Sequence, residues 1–176
     1  MKQPTKNIFH HHIEKKSKQY KGKEKKQFKY GTSKLEKDFA KNFLDKLGLI
    51  YVYQYEVKEI GRFYDFAVTL YNEKQYIMEN KEGVNCVKQK GQQFIPSLLI
   101  EVDGDYFHSN PKFYNESKLN NIQKHNKRID KLKDDWAGMH CIPLLRIWEN
   151  DIINNSKSVI KQILQYVSME KPIKIK

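Results

Sequence analysis

Residues Ser97 to Asp103 read Ser-Leu-Leu-Ile-Glu-Val-Asp, a strongly apolar strand that ends in two acids. Apolar strands rarely carry acids without a reason. Side chains alternate faces along a strand, so Glu101 and Asp103 point to the same side. A second such strand holds Asp65, inside Phe63-Tyr64-Asp65-Phe66-Ala67-Val68. If the two strands pair, Asp65 joins the others and three carboxylates share one patch. They repel each other and lose hydration unless a divalent cation sits among them. Oxygen ligands suit Mg²⁺ or Mn²⁺. For any one acid alone, a solvated strand end is the plainer reading; the set of three favours metal.

The rest of the chain supplies the scaffold. Ser33-Lys34-Leu35-Glu36 is a capping-box signature, and Leu35, Phe39, Phe43 and Leu47 recur at helical spacing until Gly48. This predicts a helix over 34–47. Strands are expected at 50–57 and 62–70, joined by a short turn at Gly61, then at 97–103 and 142–148. Residues 71–96 are polar and read as an extended loop or hairpin excursion with little core. A long helix is expected from about 116 to 137, with an apolar stripe of Leu119, Ile122, Ile129, Leu132 and Trp136. A last helix falls near 156–167. The order α-β-β-β-α-β-α implies an α/β fold, a mixed sheet flanked by helices. The core domain would span 33–170, followed by a basic tail at 171–176.

Composition bears on the partner. The chain of 176 residues carries a formal net charge of +12. Such a balance favours a polyanion, because lysine and arginine release counterions condensed on phosphates. Ten lysines lie within the first 30 residues, facing only Glu14 and Glu24. Residues 1–32 therefore read as a lysine-rich arm, with Lys15, Lys16, Lys18, Lys25 and Lys26 as candidates for tracking DNA phosphates; a solvated tail is the alternative. His10, His11 and His12 read as surface histidines. Two cysteines, Cys86 and Cys141, make neither a disulfide framework nor a four-thiolate zinc site. No apolar run approaches membrane-spanning length. A cytoplasmic protein is expected.

Longer motifs add a resemblance. Acid, then acid-x-Asp, is similar to the Asp…(Asp/Glu)-x-Lys pattern of the PD-(D/E)XK nuclease superfamily, with Asp103 at the lysine position. The stretch Ile100-Glu101-Val102-Asp103-Gly104-Asp105-Tyr106-Phe107-His108 resembles the central motif of very-short-patch mismatch repair endonucleases, Ile-Phe-Thr-His-Gly-Cys-x-Trp-His. Asn126-Lys127-Arg128-Ile129-Asp130 resembles their Asn-x-x-Arg-Asp helix, and Ile147-Trp148-Glu149 their Ile-Trp-Glu strand. Phage homing endonucleases related to this family, with a Glu, Asp, His, Asp signature, resemble the chain better. The resemblance implies a restriction-endonuclease-like core and a catalytic set of Glu36, Asp65, His108 and Asp130. Asp65 would be the principal Mg²⁺ ligand, with Glu101 or Asp103 beside it. His108 would accept a proton from water, and Asp130 would orient it. Two positions depart from the repair family: its zinc cysteines are Asp105 and Asn150 here, so no structural zinc is expected.

On the second long helix, Gln123, Asn126, Asp130 and Lys133 fall within one narrow wedge at 100° per residue. The three beside Asp130 are candidates for contacting DNA phosphates near the scissile bond, an ordinary solvated face being the alternative. Arg146 and Trp148 read as packing and sheet-edge residues. The expected function is a free-standing, phage-encoded homing endonuclease acting on double-stranded DNA, working in a bacterial host and dimerising if it cuts both strands in one event. A repair or restriction-type nuclease, and a nucleic-acid-binding protein on an inactivated nuclease core, remain as rivals.

Overall fold

The computed structural model describes residues 33–70, 75–91 and 93–169. The arm lysines Lys15, Lys16, Lys18, Lys25 and Lys26, and the tail at 171–176, lie outside the described residues. Every element below belongs to one unit, Thr32–Lys176.

Helix α1 (Lys34–Phe39) starts at a formed capping box: Glu36 N–H donates to Ser33 Oγ, and Ser33 N–H to Glu36 Oε1, each at 3.1 Å. It continues as a π-helical turn, Ala40–Leu44, so the apolar run is helical but not uniformly α. Strands β1 (Ile50–Val57) and β2 (Arg62–Thr69) form an antiparallel hairpin. β5 (Leu98–Asp103) pairs antiparallel with β2 and parallel with β6 (Leu144–Trp148), giving the order β1-β2-β5-β6. The crossover from β5 to β6 runs through a 3₁₀ turn, Glu116–Lys118, and helix α2 (Asn121–Met139). Helices α3 (Glu149–Asn154) and α4 (Ser156–Met169) close the chain. The protein is thus mixed α/β, a mixed sheet flanked by helices. Among the described residues no helix is long and apolar enough to cross a membrane.

The sheet is covered on both faces. Phe39, Phe43 and Leu44 from the first helical segment, with Val159 and Ile163 of α4, pack on Tyr53, Phe66, Ile100 and Ile147. Trp136 and Ala137 of α2 pack on Val52, Tyr64, Ala67 and Leu99.

Residues 71–96 do more than the sequence suggests. They contain a second small sheet, β3 (Met78–Lys81) and β4 (Val84–Val87), joined by Glu82-Gly83. Both turn residues have positive φ, 54° and 92°, as a two-residue hairpin turn of right-handed twist requires. The expectation of little core is corrected here: Val84, Cys86, Val87 and Phe94 are buried and extend both clusters. Strand β4 is short, and its polar neighbours hide three apolar positions from a periodicity count.

Two strands change face at one place. In β1, Tyr51 and Tyr53 join the α1/α4 side, but Tyr55 and Val57 join the α2 side. In β2, Phe66 and Val68 lie on the first side and Tyr64 on the second. The switch falls at Gln54, with φ 52°, and at Asp65 opposite it, between the pairs Tyr53↔Phe66 and Tyr55↔Tyr64. The β2–β5 ladder ends beside it, at Phe66↔Ile100. Asp65 therefore stands where a strand kinks and its neighbour is released.

Candidate functional site

Beyond Phe66↔Ile100, side chains replace the missing ladder bonds. Val102 N–H donates to Asp65 Oδ2 at 2.7 Å, and Asp65 N–H donates to Glu101 Oε1 at 3.3 Å. Glu36 comes from α1, where the capping box fixes it, and its other oxygen accepts Tyr53 O–H at 3.0 Å. The capping and the site readings of Glu36 are therefore compatible. Burial raises the Asp65 carboxyl well above the usual Asp value, and the charges of Glu101 and Glu36 raise it further. Lys133 and the Val102 N–H oppose the shift. Burial also raises Glu101, against the pull of Lys133.

Lys133 was expected to face DNA. It is instead buried, with Nζ 2.6 Å from Glu101 Oε2 and 5.3 Å from the Tyr64 ring centroid. Tyr64 O–H donates to the Lys133 carbonyl at 2.6 Å, which locks that turn of α2 onto β2. Gln123 is corrected in the same sense. It is buried, caps α2 reciprocally with Asn120, and donates to Tyr106 O at 2.9 Å. Asn126 donates to Phe107 O at 3.0 Å. These two amides hold the loop that carries His108 against the helix that carries Asp130, rather than reaching outward.

The expected apolar stripe is corrected in part: Leu119 and Trp136 are buried as expected. Ile122 and Leu132 are 56% and 40% exposed, while Gln123 and Lys133 are 3% and 8% exposed. The helix turns its polar face inward because that face meets the site.

Asp103 shares the strand face of Glu101, as alternation requires, but takes different partners. Arg146, next along from Leu145 on β6, donates Nη1–H to Asp103 Oδ2 at 2.8 Å and Oδ1 at 3.0 Å. The same guanidinium reaches Asp134 Oδ1 at 3.0 Å and lies 3.6 Å from Asp130 Oδ1. His108 Nδ1 lies 3.0 and 3.1 Å from the two oxygens of Asp130, and 3.5 Å from Asp103 Oδ1. Burial pulls the His108 pKa down, but the Asp130 hydrogen bond and the charges of Asp103 and Asp130 outweigh it, so the net shift is upward. With Nδ1 turned to Asp130, Nε2 is the ring nitrogen left to exchange a proton with a ligand.

The three acids read as one metal patch thus divide into two linked groups. Asp65 and Glu101 meet each other, with Glu36 near. Asp103 joins His108 and Asp130, whose ligand atoms lie within 4.8 Å of one another. That second group can hold a metal ion. It lines an open cleft of about 750 Å³ together with Arg146 and Trp148. Among the described residues it is the single group of three such side chains drawn this close.

Arg146 is the residue that the sequence reading undervalued. A cation inside the apolar strand Leu144-Leu145-Arg146-Ile147-Trp148 carries the same signal as an acid in one, and Arg146 lies in register with Glu101. Comparison with protein-family models, with curated proteins and with solved structures finds no match for this chain.

Proposed function

We propose that the protein is a metal-dependent DNA endonuclease, with a restriction-endonuclease-like core and a homing-type role. One observation carries this reading. Glu36, Asp65, Glu101, Asp103, His108 and Asp130 come from two helices, two strands and one loop, yet form a continuous chain of charge at one end of the sheet.

The donor chemistry fits a hard divalent cation. Asp65 is held above the usual Asp value by burial first and then by the carboxylates of Glu101 and Glu36, against the pull of Lys133, so a cation placed there would relieve both causes. Asp65 and Glu101 would hold Mg²⁺ or Mn²⁺. When bound, such an ion polarises a phosphate oxygen and offsets charge developing in the transition state. Both candidates for second ligand have a cationic partner, Glu101 in Lys133 and Asp103 in Arg146; Glu101 is preferred because it is the one bonded to Asp65.

The protein's own groups supply the rest. Asp130 fixes the His108 ring, and His108 Nε2 takes a proton from water as it attacks phosphorus. Arg146 keeps Asp103 and Asp130 from repelling each other across His108. A second reading has its own support: Lys133 and Arg146 already neutralise Glu101 and Asp103, as they would in a nucleic-acid-binding protein on an inactive core. Incubating the protein with DNA and Mg²⁺ or Mn²⁺ separates the two. Metal-dependent fragments support the nuclease; DNA binding without cleavage supports the binding protein.

A further inference from the structure

A second cleft, of about 710 Å³, lies between the β1–β2 hairpin and the β3–β4 ribbon. Lys58, Lys81, Lys88 and Lys90 line it, against Glu56 and Glu79. Phe63 also lines it, a large aromatic side chain left 44% exposed.

The cleft is built, not an accident of loops. Gln89 bonds β1 through both ends of its amide: it accepts from Glu56 N–H at 2.8 Å and donates to Glu56 O at 2.9 Å. That pairing imitates a strand neighbour and fixes the backbone on which Lys88 and Lys90 sit. At the ribbon turn, Lys37 of α1 pairs with Glu82 at 3.2 Å. Lys81 donates to Tyr53 O at 3.1 Å.

The cleft also neighbours the acids in the sheet. Gln54 lines it and stands opposite Asp65 at the point where both strands change face. Tyr53, which Lys81 touches, bonds Glu36. A lysine-lined cleft with an exposed aromatic ring, one strand position away from Asp65, matches the backbone of a polyanion that passes the carboxylate cluster.

We propose that this cleft binds the sugar–phosphate backbone of DNA flanking the scissile bond, with Lys58, Lys88 and Lys90 contacting phosphates. The proposal rests on the endonuclease reading, and binding measured in EDTA separates the two. The full-length protein and its K58A/K88A/K90A variant are titrated by anisotropy into a labelled duplex over a range of salt. A control, K46A/K157A/K161A, removes the same charge from a turn and a helix that do not line the cleft.

Each lost phosphate contact flattens the plot of log K against log salt by about 0.9. The cleft variant should therefore bind more weakly, with a slope shallower by roughly 2 to 3. The control should change the slope by less than half as much. Equal slopes for the two variants, or an unchanged cleft variant, would overturn the proposal while leaving metal-dependent cleavage to stand or fall alone. No DNA binding by the parent protein would overturn both.

Discussion

Lys133 Nζ lies 2.6 Å from Glu101 Oε2, inside the protein, on a polar helix face beside the apolar stripe. The pair links α2 to the strand that carries Glu101 and Asp103. Among the described residues it also supplies the ammonium set among the carboxylates of Glu36, Asp65 and Glu101.

Removing that ammonium leaves buried carboxylates without their partner. Breaking one side of a buried pair costs about 3–5 kcal/mol. Lys133→Ala should lose stability of that order in urea unfolding at neutral pH. A loss no greater than for an exposed lysine, such as Lys157→Ala, would mean that the ion pair is not formed.

Asp65 predicts a pH effect of definite sign. Its folded pKa is raised, so protonation favours the folded state. The stability it contributes is present below its unfolded pKa and is lost as pH rises through the raised folded value. Without metal, Asp65→Asn should therefore be more stable than the parent at neutral pH, and the gap should close as pH falls toward the usual Asp range. Each unit of raised pKa is worth about 1.4 kcal/mol. The Val102 N–H bond survives, since the Asn carbonyl still accepts it. A variant that is less stable at neutral pH would contradict the assignment.

His108 makes a third prediction. Its net shift is upward, through Asp130 and Asp103 against burial. In an NMR titration its ring should protonate above the ordinary histidine value. Asp130→Asn removes the largest raising contribution and should bring the midpoint down. An unmoved midpoint would mean that the His108–Asp130 contact is absent in solution.

Much of this site was legible in the sequence, and the part that was not has a physical cause. Acids inside apolar strands announce themselves, because nothing in a hydrophobic core calls for them. That marked Asp65, Glu101 and Asp103, and the capping box placed Glu36 at the start of α1. The alternation rule also set Glu101 and Asp103 on one face. It could not show that Gln54 and Asp65 mark a change of face, because the positive φ at Gln54 belongs to a residue type with no such preference. Nor could it show that Asp103 turns to Arg146 while Glu101 turns to Lys133. Helix α2 misleads for a different reason. Periodicity assumes that the inward face is the apolar one, and here the inward face carries Gln123, Asn126, Asp130 and Lys133 because it meets the site. The wedge was visible in the sequence, and its place beside the apolar stripe set it at the border of the site; which groups it meets on β5 and on the His108 loop was not visible.

The most direct measurement is cleavage of phage and plasmid DNA by purified protein with Mg²⁺, Mn²⁺ or EDTA, beside Asp65→Ala. Discrete fragments that need metal, and a loss of at least about 100-fold with Asp65→Ala, are the expected result, since the proposed principal ligand of the metal is gone. DNA bound but left intact under every metal condition, or full cleavage by Asp65→Ala, would contradict the assignment of Asp65 to a metal-dependent nuclease centre.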